Sequence, residues 1–313
     1  MLKKRWVKVL IVLFVLFFIV AAVTPFLINV DKYRPEILAK VNQHLNGEVK
    51  LEKISLSLWG RIKFELDKLQ VLDAQQNQII SADSSSAVVP IMSLLSFRPT
   101  LVLKLKDPKI VVTRDAKSQI NLLKLVKTEV TTQKTSDKPS APSQPSEPMN
   151  LDAIKDARIS ILIENGDVSV DDAVTGLKQN IKNFNLTARN LGLSTTNKIV
   201  MSTDLTTKMK DLEIKGPISI EFEATPKLVG GAIEDVSGSL NFNFDNLDAK
   251  YGKVFHKSKS IPLNLRSRFA YNMKTNIANI DDTFFNFHNI KLSVESSLKN
   301  DILTAIVNTT PID

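Results

Sequence analysis

The sequence predicts a mainly β protein that begins with one transmembrane helix and has only a few short helices besides. Two patterns lead to this fold class. An apolar run without charges extends from Val9 to Val30 near the start of the 313-residue chain. Beyond Gly47, apolar residues recur at every second position, which is typical of antiparallel strands with one apolar and one solvated face. The length allows one or two domains.

The apolar run over residues 9–30 is long enough to cross a bilayer, which takes roughly 20 residues of helix. Basic residues lie only in the preceding tail, residues 1–8, and Asp31 follows the run. The positive-inside rule therefore puts the tail in the cytoplasm and the body of the chain on the other side of the membrane. The residues that flank the anchor are Lys3, Lys4, Arg5, Trp6 and Lys8.

A cleaved signal peptide is the alternative for this segment. Its apolar core would span roughly 7–15 residues and end at a small-x-small cleavage site. Ala21-Ala22-Val23 fits such a site poorly, and apolar residues continue to Val30. Under either interpretation, residues 31–313 are expected to be exported from the cytoplasm.

Composition argues against several classes of function. Half of the net charge of +8 comes from the N-terminal tail, so the body is too weakly basic for a nucleic-acid-binding protein. The chain has no cysteine, which excludes disulfides, thiol nucleophiles and zinc–thiolate sites. Its three histidines, His44, His256 and His288, are far apart in the sequence. We therefore predict no cofactor, no metal site and no nucleic-acid partner.

The body is divided by a linker. Residues 128–150 carry a proline at every third position from Pro139 to Pro148, which favours an extended polyproline II conformation. Before it, residues 31–127 begin with a helix predicted over 31–46, with Pro35 in its first turn and Gly47 as its stop. We expect this helix to lie at the membrane surface or to cap the first strand. A second short helix is predicted near residues 120–127.

After the linker, residues 151–313 form a second antiparallel β region. Its clearest strand is "DLEIKGPISIEFEA", in which Leu212, Ile218 and Phe222 share one face and glutamates and lysines occupy most of the other.

The acidic stretch "ISILIENGDVSVDDAVTG", residues 159–176, decides whether a catalytic or metal-binding cluster is expected. Asn165-Gly166 is the preferred two-residue hairpin turn. A hairpin there would place Ile163 opposite Val168 and Ile161 opposite Val170, all on one face. Counted as an EF-hand loop from Asp167, the sequence lacks the required glycine and glutamate. We interpret the acids as solvated sheet residues, and because no catalytic motif occurs elsewhere we predict that the protein is not an enzyme.

Several motifs in succession resemble the AsmA family. They are the anchor followed by "DKYRPEILAKVNQHLNGEVKLEKISLSLWGRIKFELDKLQVLD", then "VVPIMSLLSFRPTLVLKLKDPKIVVTRDAKSQINLLKLV", then "ARISILIENGDVSVDDAVTGLKQNIKNFNLTARNL". Together they cover most of residues 1–190. The chain departs from the family pattern at Ala116-Lys117-Ser118, where Asp-Gly is usual, and it stops at Asp313 although many members continue for several hundred residues.

The resemblance implies a single-pass protein of the bacterial inner membrane, with its bulk in the periplasm and a role in outer-membrane biogenesis. It implies a long, curved antiparallel sheet that forms an open groove or half-barrel and conducts lipid. The expected partner is phospholipid, with envelope proteins as possible further partners. The alternative function is a membrane-tethered scaffold that affects outer-membrane protein assembly without binding lipid.

The apolar faces of the predicted strands supply the expected groove lining. The alternative is that these residues fill the core of a closed β-sandwich, which the alternation alone does not distinguish from an open groove. The predicted lining residues are Ile161, Ile163, Val168, Val170, Ile218, Ile220, Phe222, Leu240, Phe242 and Phe244.

Overall fold

The structure is a computed structural model, and it describes residues 29–125, 155–299 and 302–309. The flanking residues from Lys3 to Lys8, the predicted anchor over residues 9–30 except for its last two, and the predicted linker over 128–150 lie outside these ranges. Among the described residues, no helix is both long enough and apolar enough to cross a membrane.

The three α-helices of the described residues are short. A 3-10 turn at Val30–Tyr33 leads into helix α1 (Arg34–Gln43), which confirms the first predicted helix and its proline in the first turn. Helix α2 is Ile91–Leu95 and helix α3 is Asn121–Lys124, within the second predicted helical segment.

The role predicted for Gly47 as a helix stop is wrong. Helix α1 already ends at Gln43, with His44 as its C-cap, and Gly47 is the first residue of a strand. A Cβ atom at Gly47 would lie 2.2 Å from the carbonyl oxygen of Leu72, so glycine is needed there for the close approach of two strands.

Seventeen strands account for most of the described chain, and all belong to one sheet. In chain order they are β1 (Gly47–Lys50), β2 (Lys53–Ser57), β3 (Arg61–Asp73), β4 (Gln78–Pro90), β5 (Thr100–Lys106), β6 (Lys109–Arg114), β7 (Arg158–Asp172), β8 (Leu177–Leu191), β9 (Asn197–Met209), β10 (Leu212–Val229), β11 (Ala232–Asn243), β12 (Asp248–Tyr251), β13 (Phe255–Lys257), β14 (Leu263–Asn272), β15 (Ile277–Phe287), β16 (Ile290–Lys299) and β17 (Ile302–Thr309).

Most neighbouring strands pair antiparallel, as predicted, and the sheet is long and curved. Strands β1 and β2 lie end to end along β3, and β11 and β12 lie end to end along β10. The exception is the join between the two regions, where β5 and β6 both pair in parallel with β7. A parallel pair needs a long connection between its strands, and residues 115–157 supply it.

The predicted hairpin at Asn165-Gly166 is wrong. Strand β7 continues through these residues, and the turn to β8 lies between Asp172 and Leu177. Asn165 adopts a left-handed φ of 54° and donates its backbone N–H to the side chain of Asn185. It forms a β-bulge, since a left-handed residue within a strand shifts the register without reversing the chain.

This bulge belongs to a line of irregularities that crosses the sheet. On the strands next to β7, left-handed residues occur at Asp107, between β5 and β6, and at Asn183 in β8. Beside Asp107, the Asp167 N–H donates to the carbonyl of Pro108, so β7 exchanges one partner strand for another at this point. Bulges bend strands and increase their twist, and they therefore account for part of the curvature.

Helix α1 covers the first edge of the sheet through polar contacts. The side chain of Asn42 accepts the Val49 N–H at 2.7 Å and donates to the Val49 carbonyl at 3.3 Å. Asp31 accepts the Ile54 N–H, and Arg34 donates to the carbonyl of Leu51. The helix thus caps the first strands, which was one of the two positions expected for it.

Candidate lipid-binding groove

A continuous row of side chains crosses the curved sheet from its second strand to its last. Each residue is the direct register partner of the next, so all of them lie on one face, called here the inner face. All are apolar except Ser85 and Thr309. The row, called the central row, is Ile54, Leu66, Ser85, Leu105, Ile163, Leu186, Met201, Ile220, Phe242, Leu265, Phe285, Leu292 and Thr309.

A second apolar row runs beside the central row, two residues further along most strands. Thus Phe222 pairs with Ile199 on one side and with Leu240 on the other. Residues of this second row are Leu56, Phe64, Ala87, Leu103, Ile161, Ala188, Ile199, Phe222 and Leu240. At about 4.8 Å between strands, the central row extends for roughly 60 Å along the sheet.

The predicted lining residues lie on this inner face. Ile163, Ile220 and Phe242 belong to the central row, and Ile161, Phe222 and Leu240 to the second row. Val168 pairs with Ile181 of β8, which pairs with Leu205 on the same face of β9 as Met201, and Val170 follows Val168 by two positions. Ile218 precedes Ile220 by two positions in β10. Phe244 lies just beyond β11 and stacks on Phe242 with ring centroids 5.8 Å apart.

The residues that the structure describes do not fill the inner face. Each predicted lining residue is half-buried, and none is fully enclosed. The fully buried apolar side chains of the described residues are few, among them Ile54, Ile79 and Leu247. A closed sandwich would need a second sheet over this face, but all described strands belong to one sheet.

The opposite, outer face carries polar residues at the neighbouring positions. One register row contains only three apolar residues, Leu162, Val200 and Phe284; its polar members are Ser55, Glu65, Ser86, Lys104, Thr187, Glu221, Asn241, Arg266, Ser293 and Asn308. Ion pairs cross between these strands, such as Lys104 with Glu164 at 2.9 Å. The sheet therefore has one polar face and one apolar face, which is compatible with water on the first and an apolar ligand on the second.

One part of the inner face forms a concave pocket of about 400 Å³. It lies over strands β3, β4, β5 and β7, and its lining is mostly apolar. The lining residues include Phe64, Leu66, Leu103, Leu105, Ile161 and Ile163. The pocket is open to solvent along the sheet.

Sequence analysis missed the inner-face residues of β8 and β9. In β8 the apolar residues Ile181, Phe184 and Leu186 follow a spacing of three and then two, because the bulge at Asn183 adds one residue. In β9 the inner positions include Thr203 and Thr207, which are buried and break the apolar alternation. A search of the sequence for apolar alternation that tolerated one extra residue at an asparagine could have found β8.

The acidic residues of β7 hold the backbone in place. Asp172 accepts hydrogen bonds from the N–H groups of Val174 and Thr175 and from the Thr175 hydroxyl, and it pairs with Arg114 at 3.4 Å. Although burial raises the pKa of Asp172, these hydrogen bonds and Arg114 hold it below its usual value. Asp167 accepts the N–H of Asn183, and Glu164 pairs with Lys104.

Two further observations concern possible polar sites. Among the described residues, no group of three or more histidine, aspartate or glutamate side chains is placed to hold a metal ion.

Lys257 is only 1% exposed, and its ammonium group donates to the carbonyls of Asp245 and Leu247 at 3.0 and 2.8 Å. Burial lowers the pKa of Lys257, while Asp245 and Asp248 oppose that shift. The lysine faces backbone oxygens and serves the fold where β11 gives way to β12.

A family model described as YhdP protein matches residues 1–297 of the chain. This family is a relative of the AsmA-like family, so the resemblance seen in the sequence is confirmed for the wider group, although not for AsmA itself. No curated protein matches the chain.

Proposed function

The chain belongs to the YhdP protein family, and from this premise we propose that it is a non-enzymatic protein that holds or conducts the acyl chains of phospholipids. The observation that carries the proposal is the central row, an apolar path across the sheet in which most side chains remain half-buried. Soluble proteins rarely leave contiguous apolar surfaces of this kind uncovered unless something binds there.

The energetics favour an acyl chain as the ligand. Each methylene group removed from water gains about 0.8 kcal/mol. A chain lying across the inner face would be covered by Ile220, Phe242 and their neighbours, while its head group stayed in solvent. Lipid would then move by partition and sliding, with no covalent step. Roughly 60 Å of sheet at about 4.8 Å per strand is longer than one acyl chain, which favours several lipids in succession.

The proposed location is the bacterial inner membrane, with a single pass and the sheet in the periplasm. It is supported by the uncharged run over residues 9–30 and by the basic tail before it. In this setting the groove would begin at the membrane from which lipid is drawn, and its role would be in outer-membrane biogenesis. Phospholipid is the proposed partner, and envelope proteins are possible further partners.

Photocrosslinking from the two faces of the sheet tests the proposal. A photoreactive amino acid is placed at Phe222 or Phe242 on the inner face, and as matched controls at Glu221 or Asn241 on the outer face. Each inner site is a sequence neighbour of its control, so the two differ mainly in the face that they occupy. After irradiation in cells, mass analysis of the purified protein is expected to show phospholipid adducts from the inner sites only.

Other outcomes decide against the proposal. Adducts with envelope proteins at the inner sites, without lipid, would favour the tethered scaffold. Equal lipid adducts from both faces would mean nonspecific contact with membrane during preparation.

A further inference from the structure

The sheet has an exposed apolar tip at one end, and it is separate from the inner face. The tip consists of the β2–β3 turn, Leu58–Gly60, and the segment from helix α2 to Phe97. The carbonyl of Gly60 accepts the Ile91 N–H at 3.2 Å, so the two segments are joined. Large apolar side chains project from it into solvent: Phe97 is 87% exposed, Met92 72%, Leu95 67% and Trp59 65%.

Within the two sequence segments that form and flank the tip, the charged residues all have one sign. No aspartate or glutamate occurs from Lys53 to Phe64 or from Ser84 to Lys106. Arg61 and Arg98 lie at the tip itself. Trp and Phe together with arginine are typical of protein segments that rest at the boundary between lipid head groups and acyl chains.

The position of the tip agrees with a membrane next to it. The chain enters the described structure at Asn29, and Asp31 is hydrogen bonded to the Ile54 N–H in β2. Strand β2 then ends at Ser57, so the tip begins only about 10 Å beyond Ile54 at roughly 3.3 Å per residue. The uncharged run predicted to cross the membrane ends at Val30, immediately before this contact.

We propose that this tip inserts its apolar side chains into the interface of an anionic lipid bilayer and forms a second membrane contact beside the predicted anchor. Trp59, Met92, Leu95 and Phe97 would enter the head-group and upper acyl region, while Arg61 and Arg98 would meet lipid phosphates. Basic residues near an anionic surface are attracted to it and strengthen binding. The contact would fix how the sheet stands on the membrane, and it holds whether or not the groove carries lipid.

The absence of native cysteine allows a direct test on the full chain. Phe97→Cys is labelled with a polarity-sensitive fluorophore, and the protein is reconstituted into vesicles of phosphatidylethanolamine and phosphatidylglycerol. Val254→Cys is the matched control, because Val254 is 88% exposed and lies in a turn at the opposite end of the strands. Both sites are surface positions, so the label should not disturb the fold.

The expected result is a blue shift of the label at residue 97, quenching by phospholipids spin-labelled near the head group, and loss of quenching by aqueous iodide. The label at residue 254 should stay accessible to iodide. Arg98→Glu, or replacement of phosphatidylglycerol by phosphatidylcholine, should reduce lipid quenching at residue 97.

Two results would overturn the proposal. Equal iodide access at residues 97 and 254 would leave the tip in water. A blue shift at residue 97 without lipid quenching would mean that the tip is covered by protein. Because Phe97 lies outside the groove, failure of lipid crosslinking from Phe222 would not affect either readout.

Discussion

Phe222 and Phe269 stack with ring centroids 5.8 Å apart, although their strands, β10 and β14, are separated by β11. The stacking is possible because Gly238, the register partner of Phe269 on β11, has no side chain. A Cβ atom at Gly238 would lie 2.8 Å from the Phe269 ring and 1.9 Å from the Glu223 carbonyl oxygen. The shape of the inner face therefore depends on one glycine beneath an aromatic ring.

Gly238→Ala is expected to destabilise the protein by about 1–3 kcal/mol, as other overpacking substitutions do. The added methyl group would push Phe269 off Phe222 and force two strands apart. Denaturant unfolding of the purified protein measures the loss. Ser237→Ala, one residue away on the other face, should change stability little; an equal loss in both variants would argue against the close approach at Gly238.

Lys257→Met should also destabilise the fold. It leaves the carbonyls of Asp245 and Leu247 without the ammonium group that now binds them, and a buried polar group left unpaired costs about 1–3 kcal/mol. Lys253→Met, at an exposed lysine in the preceding turn, is the control. If thermal unfolding of the two variants is equally close to wild type, Lys257 does not support this part of the sheet.

Asp172 should make the free energy of unfolding fall as the pH is lowered. Its pKa is depressed in the folded state, so the stability it contributes is present above its ordinary value of 3.8 and is lost as the pH falls through the folded-state value. Wild type should therefore lose more stability than Asp172→Asn between pH 6 and pH 3. Thr175→Val, which removes one donor to the carboxylate, should give an intermediate slope.

Asn165→Val should be unfavourable because a β-branched residue is strained at a φ of 54°. The left-handed conformation costs roughly 1–2 kcal/mol for a residue with a side chain. Asn165→Gly removes that strain and is expected to remain near wild-type stability, although it lacks the hydrogen-bonding groups of the asparagine side chain. Chemical unfolding of the pair compares them directly, and equal stability of the valine and glycine variants would contradict the left-handed bulge.

Much of the sheet could be predicted from the alternation of residues such as Ile218, Ile220 and Phe222, because a solvated outer face imposes a period of two. The continuity of β7 could not be predicted. Asn165-Gly166 has the sequence of a hairpin turn, but the same left-handed preference of asparagine also suits a bulge. Only the neighbouring strands, which bend at Asp107 and Asn183, decide between these two uses.

The residues on the inner face could be assigned only in part. Alternation places Phe222 and Phe242 each on the apolar face of its strand, but it does not show whether another layer of structure covers that face. That depends on the pairing of strands distant in sequence, including the parallel join of β5 with β7. Strands β8 and β9, which connect the two halves of the central row, could not be recognised from the sequence. The bulge in β8 and the threonines in β9 interrupt their apolar alternation.

The central claim is that lipid occupies the inner face. The most direct test is to measure how much phospholipid copurifies with variants that carry a charge on that face. Met201→Arg puts a charge into the central row, while Val200→Arg puts the same charge on the outer face one residue away; both positions are half-buried. With folding verified by circular dichroism, Met201→Arg should retain markedly less phospholipid per protein than wild type, and Val200→Arg should retain the wild-type amount. Equal phospholipid content in all three proteins would contradict the account.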